Sequence, residues 1–245
     1  MTKLMALNKQ AHCGLKIDTQ KVEAEGADLS MVPVVLSEFR KLIVHYPIVF
    51  SKNANTGQFM CSALMGFEQG ENLFWQSGAW QGVYIPLQIT RQPFFLGHDG
   101  NNSDDDNVVM CINEASPVIS QETGETLFDE QGNPSVYLQK QQASLSQLLQ
   151  GEAQTTAFVK TMIELDLPTA MTLDITFADN STTKVNGLYT IDEDKLAKLT
   201  AQQLQGLQQA DYLAAIYAMV HSTGQIYSLI NKKNQRLERA QDWFN

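Results

Sequence analysis

TLDITFADNSTTKVNGLYTI (residues 172–191) carries the clearest secondary-structure signal in the chain. Leu173, Ile175 and Phe177 alternate with polar residues, which is the two-residue period of a strand with one buried face. The short polar stretch 178–181 then supplies a turn between two extended segments. The sequence therefore predicts a β-hairpin in this region.

A long helical pattern precedes the hairpin. Apolar residues recur at three- and four-residue spacings from about Ser135 onward. They are Tyr137, Leu138, Leu145, Leu148, Leu149, Phe158, Met162 and Leu165. Pro168 lies just past the end of this pattern, and Gly151 inside it leaves open a kink or two joined helices. We expect this segment to be the longest helical region of the chain.

Shorter helices are predicted after the hairpin. Asp192 is placed to cap one helix, and Thr200 with Gln203 has the spacing of a capping box for the next. An apolar stripe then follows, formed by Leu213, Ile216, Tyr217 and Val220. Gly224 separates it from a last amphipathic helix. These helices are expected to supply core, and they are the candidate face of a homodimer.

The first half of the chain favours strands and turns. PIVFSKNANTGQFMCSALMGF (residues 47–67) reads as strand, polar turn and strand. The sequence thus predicts a single α+β domain, with an antiparallel β-rich N-terminal half, a helical C-terminal half and one hairpin near 172–191. We place an irregular lead-in at residues 1–30 and the domain at 31–245.

The charge balance excludes one class of partner. The formal net charge is −10, so the long-range field has the wrong sign for nucleic acid. The basic residues near the C-terminus are Lys232, Lys233, Arg236 and Arg239. Four cations at a helix end are better explained by a favourable interaction with the helix dipole than by a site that binds a phosphate backbone. We therefore expect no nucleic-acid partner.

Membrane insertion and secretion are not expected either. The longest apolar runs, such as YLAAIYAMV (residues 212–220), cover less than half of the roughly 20 residues that a membrane helix needs. Residues 1–20 lack the apolar core of a secretory signal. The sequence therefore predicts a cytoplasmic protein without a membrane-spanning helix.

Catalytic and cofactor motifs are absent from the sequence. It contains no phosphate-binding glycine loop, no nucleophile elbow and no paired-histidine spacing, and we predict no cofactor. A metal site assembled from His45, His98 and Glu114 remains conceivable, because ligands need not be close in sequence. The acidic stretch 98–107 lacks calcium-loop spacing and is expected to be a solvated loop.

A group of aromatic residues around one arginine is the best candidate for a ligand-binding surface. The group consists of Trp75, Trp80, Tyr84, Arg91, Phe94 and Phe95. Core packing explains most aromatic residues, but Trp and Tyr have polar ends, and arginine is rarely buried without a partner. Such a surface could bind a carboxylate, a sugar or a peptide.

Several segments together resemble the SapC family of bacterial proteins. The resemblance covers residues 32–231. It is carried by VPVVLSEF, HYPIVF, GENLF, CINEASP, GETLFDEQGNP, IDEDKLAKLT and LAAIYAMVHSTGQI, and by the set Tyr84, Pro86, Ile89, Arg91, Pro93 and Phe94. The family label derives from a surface-layer-associated protein, which implies a structural or export role at the surface layer.

The resemblance also implies an accessory role. Similar proteins are commonly encoded near TonB-dependent receptors, flavin-dependent halogenases and cupin-type oxygenases. With no catalytic motif in the chain, the favoured function is a cytoplasmic, non-catalytic accessory protein that binds a small molecule or a partner protein through the aromatic and arginine residues. The alternatives are a metal-dependent enzyme of unknown reaction and a surface-layer structural or export component.

Overall fold

The computed structural model describes residues 3–98 and 108–242. Its strands are β1 (Leu4–Ala6), β2 (Lys16–Ile17), β3 (Met31–Pro33), β4 (Ile48–Lys52), β5 (Phe59–Leu64), β6 (Trp75–Gln76), β7 (Ala79–Trp80), β8 (Phe94–His98), β9 (Val108–Asn113), β10 (Ile119–Ser120), β11 (Glu125–Thr126), β12 (Pro168–Thr176) and β13 (Thr182–Ile191). Its α-helices are α1 (Lys9–His12), α2 (Phe39–Leu42), α3 (Leu87–Thr90), α4 (Val136–Glu164), α5 (Glu193–Ala197), α6 (Ala201–Gln209), α7 (Tyr212–Ser222) and α8 (Gln225–Asp242). Two 3₁₀ segments cover Thr19–Gly26 and Leu36–Glu38.

The α+β class is confirmed, with helices and small antiparallel sheets in one chain. The chain falls into two compact units. Unit 1 comprises residues 1–26 and 87–150, and unit 2 comprises 27–86 and 151–245. The sequence-based boundaries, a lead-in at 1–30 and a domain at 31–245, stay a prediction.

Unit 1 contains two three-stranded sheets, ordered β1-β9-β8 and β10-β2-β11. The part of the chain that the sequence presents as an irregular lead-in supplies a strand to each, because β1 pairs with β9 and β2 pairs with β10 and β11. The predicted acidic loop at 98–107 lies outside the described residues apart from the backbone of His98, which pairs with Val108.

Unit 2 is built on one five-stranded antiparallel sheet with the order β12-β13-β4-β5-β3. Aromatic residues fill one part of its core: Phe50 of β4 stacks on Phe158 of α4, and Phe39 of α2 meets the same ring edge-on. All three rings are buried. This packing ties the sheet to two helices that are far apart in sequence.

The long helix and the hairpin are confirmed. α4 runs unbroken from Val136 to Glu164, and β12 pairs with β13 as an antiparallel hairpin. Gly151 causes no break in α4. An added Cβ there would lie 2.8 Å from Val35 Cβ, so glycine allows the helix to approach this neighbour closely.

The predicted caps of the C-terminal helices are also confirmed. The Asp192 side chain accepts a hydrogen bond from Lys195 N, and Thr200 forms a capping box with Gln203. On α7, Ile216 is buried whereas Tyr217 is exposed. The homodimer face predicted on the later helices stays a prediction. Among the residues that the structure describes, no helix combines the length and apolar character needed to cross a membrane.

Candidate functional site

The five-stranded sheet of unit 2 opens between its second and third strands. Within the described residues, β13 and β4 are joined by a single residue pair, Tyr189 with Phe50. On the other side of β4, the ladder to β5 runs without a break from Ile48 to Lys52. Toward the hairpin turn no further pair joins β13 to β4 among the described residues, and residues of both strands line one cleft.

This open-sheet cleft has a volume of about 390 Å³. It is lined by residues 30–31, 51–52, 64, 66–69 and 185–189. Leu64, Phe67 and Leu188 supply buried apolar surface, while the side chains of Lys52 and Asn186 stand at the exposed rim. An apolar lining with a few polar groups, in a volume of several hundred Å³, is typical of small-ligand sites.

A β-bulge gives a local reason for the opening. Leu188 pairs with Met171 and Val185 pairs with Leu173, so Asn186 and Gly187 together oppose one residue of β12. Gly187 has φ +79°, a left-handed conformation that favours glycine. Bulges bend a strand and increase its twist, and this bulge lies in the part of β13 that has no pair with β4 among the described residues.

Lys52 brings a positive charge to the rim of the cleft. Its ammonium nitrogen lies 4.9 Å from the centre of the Phe59 ring and 5.3 Å from the centre of the Tyr189 ring. The two rings meet edge-on with centroids 4.8 Å apart. Contact with aromatic faces attracts a cation and leaves its N–H groups available for hydrogen bonds.

The carboxylate of Glu68, which also lines the cleft, already has partners. Glu68 Oε1 lies 3.2 Å from Lys233 Nζ and accepts a hydrogen bond from Thr183 Oγ1 at 3.4 Å. It shares this lysine of α8 with the carboxylate of Glu71. Lys52 is the cation of the cleft lining. Among the described residues, no carboxylate lies within 4.0 Å of its ammonium nitrogen.

Lys233 also forms the most buried ion pair of this region. Its ammonium lies 2.6 Å from Glu71 Oε1, and Glu71 Oε2 accepts a hydrogen bond from Phe67 N. Both charged side chains are buried. Burial alone would lower the pKa of Lys233, but the hydrogen bonds and charges of Glu71 and Glu68 outweigh it and hold that pKa above its ordinary value.

The other basic residues of α8 contact residues 72–75, in the loop that follows the cleft segment 66–69. Arg236 donates hydrogen bonds to the carbonyls of Asn72 and Trp75 at 2.8 and 2.9 Å, and the Lys232 ammonium lies 5.0 Å from the centre of the Phe74 ring. The dipole explanation for this basic stretch is thus incomplete. Its side chains fasten the last helix to the loop that follows the cleft segment 66–69.

Two residues of the predicted aromatic surface belong to a buried hydrogen-bond network in unit 2. Trp80 Nε1 donates to Tyr46 Oη at 2.8 Å, and Tyr46 Oη donates to Tyr84 O at 2.6 Å. Tyr84 Oη donates in turn to Glu38 Oε1 at 3.0 Å. Burial first, and then the Glu38 charge, raise the pKa of the Tyr84 hydroxyl. The polar ends of Trp80 and Tyr84 are therefore hydrogen-bonded to other groups of the protein.

Three residues of the same predicted surface lie in unit 1. Arg91 Nε donates to Gln88 Oε1 at 2.7 Å, and another guanidinium nitrogen donates to Phe94 O at 2.6 Å. The guanidinium carbon lies 4.1 Å from the centre of the Phe95 ring. Phe94 is fully buried.

The predicted surface is therefore divided between the units. Trp75 pairs with Trp80 across β6 and β7 in unit 2, and Tyr84 joins them through Tyr46. None of the six predicted residues lines the open-sheet cleft. Their shared role in ligand binding stays a prediction.

The three weak metal candidates have different surroundings. The His45 ring meets Tyr46 edge-on, and its buried Nε2 atom has no hydrogen-bond partner among the described residues. The side chain of His98 lies outside the described residues. Glu114 belongs to unit 1, whereas His45 belongs to unit 2.

Glu114 is engaged by two other side chains. Its Oε2 lies 2.6 Å from Lys3 Nζ, and its Oε1 lies 3.3 Å from His12 Nε2. The Lys3 hydrogen bond is the main cause of a lowered pKa at Glu114. In residues 3–98 and 108–242, no group of three His, Cys, Asp or Glu side chains is arranged to hold a metal ion. The metal-dependent alternative stays a prediction.

The residues of the cleft were missed by sequence reasoning. The lining comes from the separate segments 30–31, 51–52, 64, 66–69 and 185–189, which together match no motif. One local signal was available, because a glycine inside a strand pattern, here Gly187 after Asn186, often marks a bulge or a close backbone approach.

Comparison with known families assigns the chain as a whole. A family model described as SapC matches residues 7–229. The chain belongs to the SapC family. No curated protein and no solved structure matches this SapC-family chain significantly.

The segments that carry the SapC resemblance include much of the buried polar structure described above. HYPIVF contains Tyr46, and GENLF contains Glu71, the partner of Lys233. HYPIVF also ends in Phe50, the residue that joins β4 to β13. The SapC segments thus fix the sheet and the loop that border the open-sheet cleft.

Proposed function

We propose that this SapC-family protein is a non-catalytic binding protein and that the open-sheet cleft is its ligand site. The observation that carries this proposal is the opening of the sheet beyond the Tyr189–Phe50 pair. A strand pair that separates in the middle of a sheet gives up hydrogen bonds that a continuous ladder would make. A bound ligand can replace them.

The character of the lining supports the same function. Leu64, Phe67 and Leu188 supply the apolar part of the lining, and Lys52 and Glu68 are its charged residues. The nearby carboxylates, Glu68 and Glu71, are paired with Lys233. Carboxylates held in ion pairs are better suited to forming a fixed wall of a binding site than to transferring protons.

The biological role belongs to the same proposal. A cytoplasmic accessory protein could deliver or hold a ligand for TonB-dependent uptake, or for a flavin-dependent halogenase or cupin oxygenase that modifies it. Family membership alone supports this part of the proposal.

The test is native mass spectrometry of the freshly purified protein, compared with its denatured mass. The blocking variant is Asn186→Trp, because Asn186 is exposed and lines the cleft. The matched control is Thr182→Trp, which places the same side chain at an exposed position of β13 outside the cleft.

We expect a reproducible excess mass in the native protein and in Thr182→Trp, and none in Asn186→Trp. A native protein without excess mass, or an excess that survives in Asn186→Trp, would overturn the assignment of the cleft. Circular dichroism of each variant verifies that the fold is kept.

A further inference from the structure

One pair of residues in the open-sheet cleft carries a chemistry of its own. Asn186–Gly187 is the one Asn-Gly pair in the 245-residue sequence. Both residues are exposed, and both line the cleft. When glycine follows asparagine, the backbone nitrogen of the glycine reaches the side-chain amide most easily, because glycine has no Cβ to crowd the approach. The pair therefore meets the chemical requirement for deamidation.

The fold places this pair outside regular strand pairing. The ladder between β12 and β13 shifts its register between Met171 and Leu173. Asn186 and Gly187 are the residues of β13 that lie within the shift. A regular ladder restrains each peptide unit through the neighbouring strand, whereas a bulge disrupts that restraint locally.

The surroundings of the pair leave room for a change of conformation. A Cβ built on Gly187 would meet no atom within 4 Å. The carboxamide of Asn186 accepts a hydrogen bond from Thr172 Oγ1 at 3.4 Å, a long and exposed bond that restrains it only weakly. The open space beside the glycine allows the local rotation that ring closure between the two residues requires.

We propose that Asn186 is a site of spontaneous deamidation. The backbone nitrogen of Gly187 loses its proton to a base in the solvent and attacks Cγ of Asn186. A C–N bond forms, the bond from Cγ to the side-chain nitrogen breaks, and that nitrogen takes up a proton and leaves as ammonia. Water then opens the succinimide ring at one of its two carbonyls and gives aspartate or isoaspartate. The net reaction consumes one water and releases one ammonia.

The product changes the charge of the open-sheet cleft. A neutral carboxamide of the lining becomes a carboxylate, beside Lys52 and Glu68 as the other charged residues of that lining. The isoaspartate form also adds a carbon atom to the main chain of β13, within the bulge. Newly made and aged chains therefore differ at this site. The inference goes beyond the proposed function, because the reaction requires no ligand.

The test is peptide mapping of the full chain after incubation at neutral and at mildly alkaline pH. Mass spectrometry detects the replacement of the side-chain NH2 by OH, and chromatography separates aspartate from isoaspartate. Asn180 is the internal control, since it is an exposed asparagine in the turn of the same hairpin but is followed by Ser181. In Asn186→Gln the ring would be six-membered and would close far more slowly, whereas Asn180→Gln should leave the reaction at Asn186 unchanged.

We expect Asn186 to convert at least about tenfold faster than Asn180, because the residue after it has no side chain. Conversion should be faster at the higher pH, since the attacking nitrogen must lose its proton. Asn186 that converts no faster than Asn180 would overturn the proposal. A mass change that persists at the native rate in Asn186→Gln would place the reaction at another residue and would also overturn it.

The contribution of the bulge is tested by repeating the incubation in urea at the same pH. We expect the rate at Asn186 in the folded chain to lie within about tenfold of the rate in the unfolded chain, because local opening of a bulge costs little free energy. A folded chain that protects Asn186 by a larger factor would contradict the proposal, because the bulge would then restrain the pair as a regular ladder does.

Discussion

Tyr189 and Phe50 are the residues through which β13 meets β4 in the described part of the sheet. Phe50 is buried and stacks on Phe158 of α4, whereas Tyr189 turns one ring face toward the Lys52 ammonium. The pair thus lies between the buried aromatic core and the open-sheet cleft.

The buried ion pair of Lys233 predicts a large loss of stability on its removal. Lys233→Met leaves Glu71 buried without its partner, so we expect the free energy of unfolding to fall by about 3 kcal/mol. Lys232→Met is the matched control, since that lysine contacts the Phe74 ring and should cost less than about 1 kcal/mol. Urea denaturation measures both, and equal losses would contradict the account.

The hydroxyl of Tyr46 predicts a smaller but specific effect. In Tyr46→Phe, Trp80 Nε1 loses its acceptor and the Tyr84 carbonyl loses a donor, so unfolding should be easier by about 1–3 kcal/mol. Tyr227→Phe, at a residue 74% exposed, should change stability little. Thermal unfolding of the two variants separates these outcomes. A neutral Tyr46→Phe would mean that the network adds nothing to stability.

Two helix glycines predict effects of opposite sign. In Gly206→Ala the new Cβ meets no atom within 4 Å, and α6 should gain roughly 0.5–1 kcal/mol from the better helix former. In Gly151→Ala the new Cβ would lie 2.8 Å from Val35 Cβ, so we expect a net destabilisation of about 1–3 kcal/mol. Chemical denaturation measures both changes. A stabilising Gly151→Ala would show that Val35 can move aside freely.

The hydrogen bonds of the turn at Asp129 predict that the stability of the fold depends on pH. Backbone hydrogen bonding from Asn133 holds the pKa of the Asp129 carboxyl below its usual value. The stabilisation is therefore fully present above the unfolded pKa of about 4 and is lost as pH falls through the lower folded value. The native chain should be more stable than Asp129→Asn at pH 7.

Melting temperatures between pH 7 and pH 2 test this dependence. The curves of the native chain and Asp129→Asn should converge as the carboxyl is protonated. Asp28→Asn, at an exposed carboxylate outside the turn, is the control and should follow the native curve. A constant difference between native chain and Asp129→Asn at all pH values would contradict the assigned cause.

Much of the fold is predictable from local patterns. The hairpin β12–β13, the unbroken length of α4 and the caps at Asp192 and Thr200 follow from short-range periodicity and side-chain chemistry. The strands β1 and β2 are not predictable in this way, because each is short and is defined by partners about 100 residues away.

The cleft was beyond sequence reasoning for a related reason. Trp80 and Tyr84 drew attention as aromatic residues with polar ends, but those ends bond to Tyr46 and Glu38. No sequence pattern singles out Lys52, because its place in the cleft depends on how β13 lies relative to β4. That arrangement is a tertiary property, and only Gly187 marks it locally.

Hydrogen exchange of the backbone amides of residues 185–188 tests the central claim most directly. The protein is measured as purified, and again after unfolding, removal of small molecules and refolding. We predict that amides facing the cleft exchange slowly in the purified protein and faster after refolding, while those of residues 171–173, across the hairpin, stay unchanged. Exchange that is identical in the two preparations would contradict a ligand bound in the cleft.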